Sequence, residues 1–412
     1  MRFGIGMSEW EDRINVERMR QYRLQRTKEQ LKQKGLGAVL CYDFDNIRYI
    51  TGTTAGEWAR NKMTRYCILT DNGDPYIYDP AAPTKRRDCP WISDHVRPAL
   101  GSMRGAIPLE VNNIQKVAEE IKQMLIEYGV DKMPLGLDIA DIPLVQELQK
   151  QGIEVADGQQ AMLDARLIKS EDEIKCLEMA ATLADGAFET AVRNIRPGMK
   201  ENDISAIVHD FLYRQGSDLV ECINIASGPR AIPHPHHPAD RMLRPNEMFY
   251  MDIMHSYMGY RTCYYRTFSV GKPSPAQEKA FEKARKWLYD GIAQIKAGNT
   301  SADIAKVWPK AEEFGYKDER EAFLCQFAHG IGLSIWEKPA ISRLFSLDSP
   351  YTLEENMVFA IENYCPSEDG NGGVRIEEEV VVTKDGCRII TKYPIDHLIS
   401  CGTPGSEVYM SS

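Results

Sequence analysis

Four short segments of this chain combine residue types that can hold a metal ion and move protons. They are Met251–Phe268, which opens Met-Asp-Ile-Met-His; His329-Gly-Ile-Gly-Leu333, followed by Trp336-Glu-Lys-Pro339; Met357-Val-Phe-Ala-Ile-Glu362; and Gly372-Gly-Val-Arg-Ile-Glu377. Asp252, Glu362 and Glu377 each end or interrupt an apolar, strand-like run. A carboxylate in such a place is costly unless it is paired, protonated or metal-bound. With His329 they make a mixed nitrogen and oxygen ligand set suited to Zn²⁺, Mn²⁺ or Fe²⁺. Each residue alone has a plainer reading, as a solvated strand-edge acid or a hydrogen-bonded core histidine. It is their joint pattern that argues for chemistry.

The elements that must position these residues are legible around them. Asn15 to Gly35 has a helical pattern, with Met19, Tyr22, Leu24 and Leu31 among many charges. Ala38–Tyr42, Tyr66–Leu69 and Pro75–Tyr78 read as strands, and Val111–Tyr128 and Pro143–Gln151 as helices. Alternating strands and helices predict an α/β N-terminal domain over residues 1–165. A boundary falls near Arg166–Ser170, where Ser170 and Glu173 form a capping-box signature opening a long helix through Ala191. Residues 166–412 then carry an internal repeat. Ile195-Arg-Pro-Gly198 with Asp203-Ile204 returns one hundred residues later as Ile295-Lys-Ala-Gly298 with Asp303-Ile304. Leu243 precedes Asp252 by nine residues, as Leu353 precedes Glu362, each pair closing an apolar strand. Two related halves would bring both acids to one cleft. The fold class is therefore α+β, with a pseudo-twofold C-terminal domain.

Composition narrows the function classes. The 412 residues carry a formal net charge of -10, without the basic face that phosphate backbones require, so nucleic acid is not expected as a partner. No apolar stretch nears the ~20 residues that span a bilayer, and the charged start does not resemble a signal peptide. Ten cysteines without short paired spacings read as free thiols in a reducing compartment, the cytoplasm by default.

The four segments resemble the metal motif of the creatinase, aminopeptidase P and prolidase superfamily, the M24 or pita-bread group. That pattern is Asp, a second Asp eleven residues on, then His, Glu and Glu. The likeness runs over nearly the whole chain. It implies a creatinase-like N-terminal domain, a pita-bread catalytic domain, and metal ligation by Asp252, His329, Glu362 and Glu377. It also implies a homodimer in which Trp58 and Arg60 reach a neighbour's cleft.

The departures are as informative. Cys263 stands at the second Asp, where a thiolate would favour a softer metal and a neutral thiol would ligate nothing. Trp336 stands seven residues beyond His329, where the peptidases carry a second His. Two non-peptidase branches resemble the chain more. Creatinase is metal-free and binds its substrate carboxylate with two arginines; Arg375 and, less securely aligned, Arg60 match them. Its catalytic His lies in a His-x-Pro context matched by His236, within a loop that also offers His234 and His237, or that is simply an exposed Pro-rich turn. The metal-dependent dimethylsulfoniopropionate lyases resemble it at Asn46–Tyr49, Ala226–Arg230 and Thr391–Pro394, but carry an Asp base where this chain has Ile335.

The resemblance thus implies a hydrolase or lyase acting on a small carboxylate-bearing C–N or C–S compound. One divalent transition metal (Zn, Fe or Mn) per chain is expected, or none as in creatinase. His236, His329 and Glu362 are the catalytic candidates, and Arg375, Arg60, Trp58, His234 and Trp336 the substrate-binding ones. Asp252, Cys263, His329, Glu362 and Glu377 are the candidate ligands. A divergent Xaa-Pro dipeptidase or aminopeptidase, and a non-catalytic binding scaffold, are the alternatives.

Overall fold

A computed structural model of the chain describes residues 13–54, 56, 61–99, 105–233 and 235–402. They form two compact units, one of Asn15–Arg166 and one of residues 13–14 with Leu167 onward. Trp58, Arg60 and His234 lie outside the described residues. Among the described residues no helix is long and apolar enough to cross a membrane.

The first unit is built on strands β1 (Ala38–Cys41), β2 (Tyr66–Thr70), β3 (Tyr76–Asp79), β4 (Val96–Pro98), β5 (Leu135–Leu137) and β6 (Val155–Asp157). They form one mixed sheet in the order β4-β3-β2-β1-β5-β6. Helices α1 (Val16–Gln33), α2 (Phe44–Thr51), α3 (Ala82–Asp88), α4 (Asn113–Glu127), α5 (Ile142–Lys150) and α6 (Gln159–Leu167) accompany it. The start of α1 follows from Asn15, whose side chain accepts the Arg18 N–H, and that of α2 from Asp43, which accepts from Asp45. Apolar Val117, Ile121 and Leu125 of α4, each four residues from the next as a helix face allows, pack with Leu40 and Ile68 of the sheet.

The second unit displays the repeat. Its first half contains α7 (Glu171–Asn194), α8 (Glu201–Arg214), β7 (Leu219–Ser227), β8 (Met248–Tyr257) and β9 (Tyr260–Val270). Its second contains α9 (Pro275–Ile292), α10 (Ser301–Val307), β10 (Gln326–Gly330), β11 (Glu337–Ile341), β12 (Val358–Pro366), β13 (Gly373–Val382), β14 (Cys387–Ile389) and β15 (Ile399–Cys401). Both long helices open with a capping box, at Ser170 and at Ser274. The equivalence extends to single hydrogen bonds. Gly198 N donates to Leu243 O and Gly298 N to Leu353 O, each at 2.9 Å. Asn246 and Asn356, each two residues before its strand, share a left-handed φ of 68° and 66°.

The strands form two sheets, β15-β9-β8-β7 and β11-β10-β12-β13-β14. Period-two alternation decides what each face carries. Phe249, Met251 and Ile253 of β8 pack in a core with Phe188 of α7, and Phe359 and Ile361 of β12 pack with Phe281 and Leu288 of α9. The intervening residues, Asp252 and Glu362, must then occupy the helix-free faces. Asp252, Glu362 and Glu377 are each the fifth residue of their strand, so the expectation that the first two close theirs is corrected. Pairing with β9 and β13 continues on both sides of the acids, which keeps the strands extended past them.

Candidate active site

The two sheets meet where β9 runs beside β13. Thr267 Oγ1 donates to Arg375 O at 2.7 Å and accepts from Arg375 N at 2.8 Å. This junction gathers the sequence-predicted groups. Cys263 Sγ, a ring nitrogen of His329 and a carboxylate oxygen of Glu377 lie within 4.8 Å of one another, all buried. His329 Nε2 is 3.8 Å from Glu377 Oε1. Asp252 adjoins this trio through Cys263, whose thiol donates to Oδ1 at 3.6 Å, while Asn224 Nδ2 donates to Oδ2 at 2.8 Å. Glu362 sits directly across from Glu377 in the β12–β13 register but is drawn to Arg375, with Nη2 to Oε2 at 2.6 Å. Arg375 also donates from Nη1 to Leu324 O, and its guanidinium lies 5.1 Å over the Tyr265 ring.

Arg375 and Glu377 share one strand face, as expected for residues two apart. His236 is exposed; its carbonyl accepts weakly from Cys222 Sγ at 3.9 Å, and Tyr250 Oη fastens the same loop at Pro235 O, 3.1 Å away. His237 contributes its carbonyl to Arg230. Trp336 is 59% exposed, lies parallel to Phe327 at 5.6 Å and tilts over His329 at 4.5 Å. The residues that sequence reasoning missed are Asn224, Tyr265 and Glu379, which hold Asp252 or Cys263. Their signal was their place two residues from, or paired across from, a recognised acid.

Loss of water dominates the electrostatics. Burial pushes the Asp252 carboxyl up to about 6 and Glu362 to about 7, against the nearby Arg375 charge. Glu377 is raised well above the carboxylate range by burial, then by Glu362 and Asp252. The Cys263 thiol is raised by burial and the surrounding acids, and burial lowers His329 to about 4. His236 is lowered by partial desolvation and by Arg375, which keeps its ring neutral near pH 7.

A pH dependence follows for the chelator-treated protein. The raised acids bind protons more tightly folded than unfolded, so their stabilisation is complete below the ordinary carboxylate range and is lost as pH rises through about 6–7. The depressed His329 acts oppositely, with its stabilisation lost as pH falls through about 4. The melting temperature should therefore fall between about pH 5 and pH 8. A saturating divalent metal, which needs deprotonated ligands, should remove that fall. Parallel pH profiles with and without metal would contradict this.

The residues fit a metal ion. Among the described residues neither Glu377 oxygen has a hydrogen-bond partner, although the side chain is fully buried. An orphaned carboxylate beside a thiol and an imidazole is a donor set that suits a divalent cation. The loop after His329 is built to hold these donors still. A Cβ on Gly330 would lie 2.0 Å from Lys338 O, and one on Gly332 2.6 Å from the Glu337 carboxylate. Glu337 accepts from Ser334 N and pairs with Lys169 at 3.0 Å, both side chains 1% exposed. Lys169→Met strands that charge and should cost about 3 kcal/mol. Urea titration reads it, and a change below about 1 kcal/mol would show the pair to be dispensable.

Comparison with known proteins bears on the same segments. The model of metallopeptidase family M24 matches residues 175–384, a stretch containing all five candidate ligands. The chain belongs to family M24. Within M24, it is 26% identical over 403 residues to dimethylsulfoniopropionate lyase DddP of Roseovarius nubinhibens, covering 93% of this chain and 87% of that protein. It is 30% identical over 297 residues to an Xaa-Pro dipeptidase of Pyrococcus horikoshii, covering 69% of this chain and 79% of the relative. The structure of a prolidase from Thermococcus sibiricus superposes with a TM-score of 0.76 at 22% identity, over 92% of this chain and 99% of that one. The pita-bread M24 fold expected from sequence is thereby established, and enzymes of family M24 are typically metal-dependent.

Proposed function

We propose that the chain is a hydrolase or lyase that cleaves a C–N or C–S bond in a small carboxylate-bearing compound. It would use one divalent transition metal, Zn²⁺, Fe²⁺ or Mn²⁺. The observation that carries this reading is the buried donor trio Cys263, His329 and Glu377, with both Glu377 oxygens unpartnered among the described residues. These three would hold the ion, with Asp252 and Glu362 at its border. When bound, the ion supplies a Lewis acid for the reacting group or for water.

The chain's own residues do the rest. Arg375 Nε has no partner among the described residues and is buried, so a substrate carboxylate can dock there while Nη2 stays on Glu362. Glu362, held near 7, can give or take a proton at neutral pH. His236, neutral at that pH, is the acceptor nearer solvent. Trp336 roofs His329 and limits water on that side. Trp58, Arg60 and His234, outside the described residues, stay as substrate-binding candidates, the first two from a second copy of the chain, so a homodimer is part of this reading. Sedimentation that finds only monomer at micromolar concentration would remove the shared-site element. All ten cysteines are free, which supports a cytoplasmic setting.

Elemental analysis of the purified protein tests the core of the proposal. One metal per chain is expected. Two would promote a peptidase-like dinuclear centre, and none would favour creatinase-like, metal-free chemistry. The second reading, a divergent Xaa-Pro dipeptidase, is favoured by the 30% identical relative of that name. Against it stands the indole of Trp336 beside His329. Proline dipeptides should turn over with kcat/KM below about 10⁴ M⁻¹s⁻¹. Faster turnover would make the second reading the better one.

A further inference from the structure

The acid in closest contact with the Cys263 backbone is none of the candidate ligands. It is Glu379, two residues beyond Glu377 and on the same face of β13. Its Oε1 accepts the Cys263 N–H at 2.7 Å and the Thr262 hydroxyl at 2.7 Å. Its Oε2 is buried and unpartnered among the described residues, and the residue is 0% exposed. No ion pair reaches it among the described residues.

A strand link alone does not need an acid there. Further along the same junction, Thr267 joins β9 to β13 with one neutral hydroxyl that both donates and accepts. Nothing is left unpaired at that bridge. At Cys263 the same two strands are joined by a carboxylate with a spare oxygen, an arrangement that is costly in a dry site. Each bridge holds the backbone of one residue: Thr267 that of Arg375, and Glu379 that of Cys263, whose sulfur faces His329 and Glu377.

We infer that Glu379 is a positioning residue for the Cys263 thiol, deciding where the sulfur sits and so whether the site takes a thiophilic cation. This rests on the metal-site reading above and extends it to a residue outside the ligand set. Outer partners that orient a ligand typically govern about 10–100-fold in metal affinity.

The test titrates metal-free protein with Co²⁺ and follows the sulfur-to-cobalt charge-transfer absorption together with the dissociation constant. Wild type should show the band and Cys263→Ser should lack it. Glu379→Ala should lose the band and bind Co²⁺ about 10–100-fold more weakly. Glu379→Gln, which keeps an oxygen for both donors, should recover most of the band. Thr267→Val should lower the melting temperature yet leave the band in place. If Glu379→Ala does not fold, Glu379→Thr carries the test, since its shorter hydroxyl cannot span to Cys263 and should also lose the band. A folded Ala or Thr variant with wild-type band and affinity overturns the inference. Wild-type binding without a sulfur band overturns it too, but leaves a metal site standing. No Co²⁺ binding at all would instead remove the metal-site reading on which it rests.

Discussion

Arg375→Met is expected to destabilise the chain by about 3–5 kcal/mol and to abolish turnover, because it strips the cation from a buried acid cluster. Arg375 and Glu362 are 1% and 3% exposed and meet at 2.6 Å. Arg375 is the positive charge acting on Asp252, Glu362 and Glu377 alike. Removing it leaves a carboxyl facing other carboxyls in a dry site, so Glu362 must take up a proton or the sheet junction must open. Arg375→Lys separates this structural duty from recognition. An ammonium can still face Glu362, so most of the stability should survive. It cannot reproduce the planar fork, and the free Nε edge is lost with it. KM should then rise by roughly tenfold or more, the loss of one charge-assisted hydrogen bond, with metal content unchanged. A Lys variant with wild-type KM and reduced stability would show that Arg375 serves only the fold.

Cys263→Asp should raise metal occupancy from one ion per chain towards two and shift preference from Zn²⁺ or Fe²⁺ towards Mn²⁺. A thiolate offers one soft donor, whereas a carboxylate offers two hard oxygens that can bridge. The site around it is already rich in oxygen: Asp252 Oδ1 lies 3.6 Å from the sulfur, and both Glu377 oxygens are unpartnered among the described residues. The mutation also replaces a thiol held neutral by burial with an acid among acids, so the metal-free variant should melt at a lower temperature. Metal should restore that loss, and more fully with two equivalents than with one. Elemental analysis and melting with one and two equivalents read both effects. An unchanged stoichiometry would mean that geometry, not the donor atom, limits the site.

Much of this protein was legible in the order of its residues, and what was legible was local or repeated. The capping box at Ser170 and the helix after Asn15 became elements close to their expected bounds, and the hundred-residue echo of Ile195–Gly198 became a matched pair of turns. Each rests on hydrogen bonds or periodicities within a few residues, which sequence order alone can specify. The acids were recognisable because a charge inside an apolar run needs a reason.

Tertiary structure decided how those acids are used. Asp252, Glu362 and Glu377 look equivalent as acids within apolar runs, yet one is held by Asn224, one by Arg375, and one by nothing among the described residues. Those partners come from strands 28, 13 and, for Glu379 on Cys263, 116 residues away in the chain. No periodicity encodes such meetings; the first two need β7 beside β8 and β12 beside β13, and the third exists only once β9 and β13 lie side by side. Spacing and the internal repeat pointed to a two-part chain with acids buried in its second part, and the resemblance of four segments to the M24 motif pointed to the family. Which acid is neutralised, which remains an open donor and which braces the cysteine depends on low-dielectric contacts between distant strands, where a displacement of one ångström changes the partner.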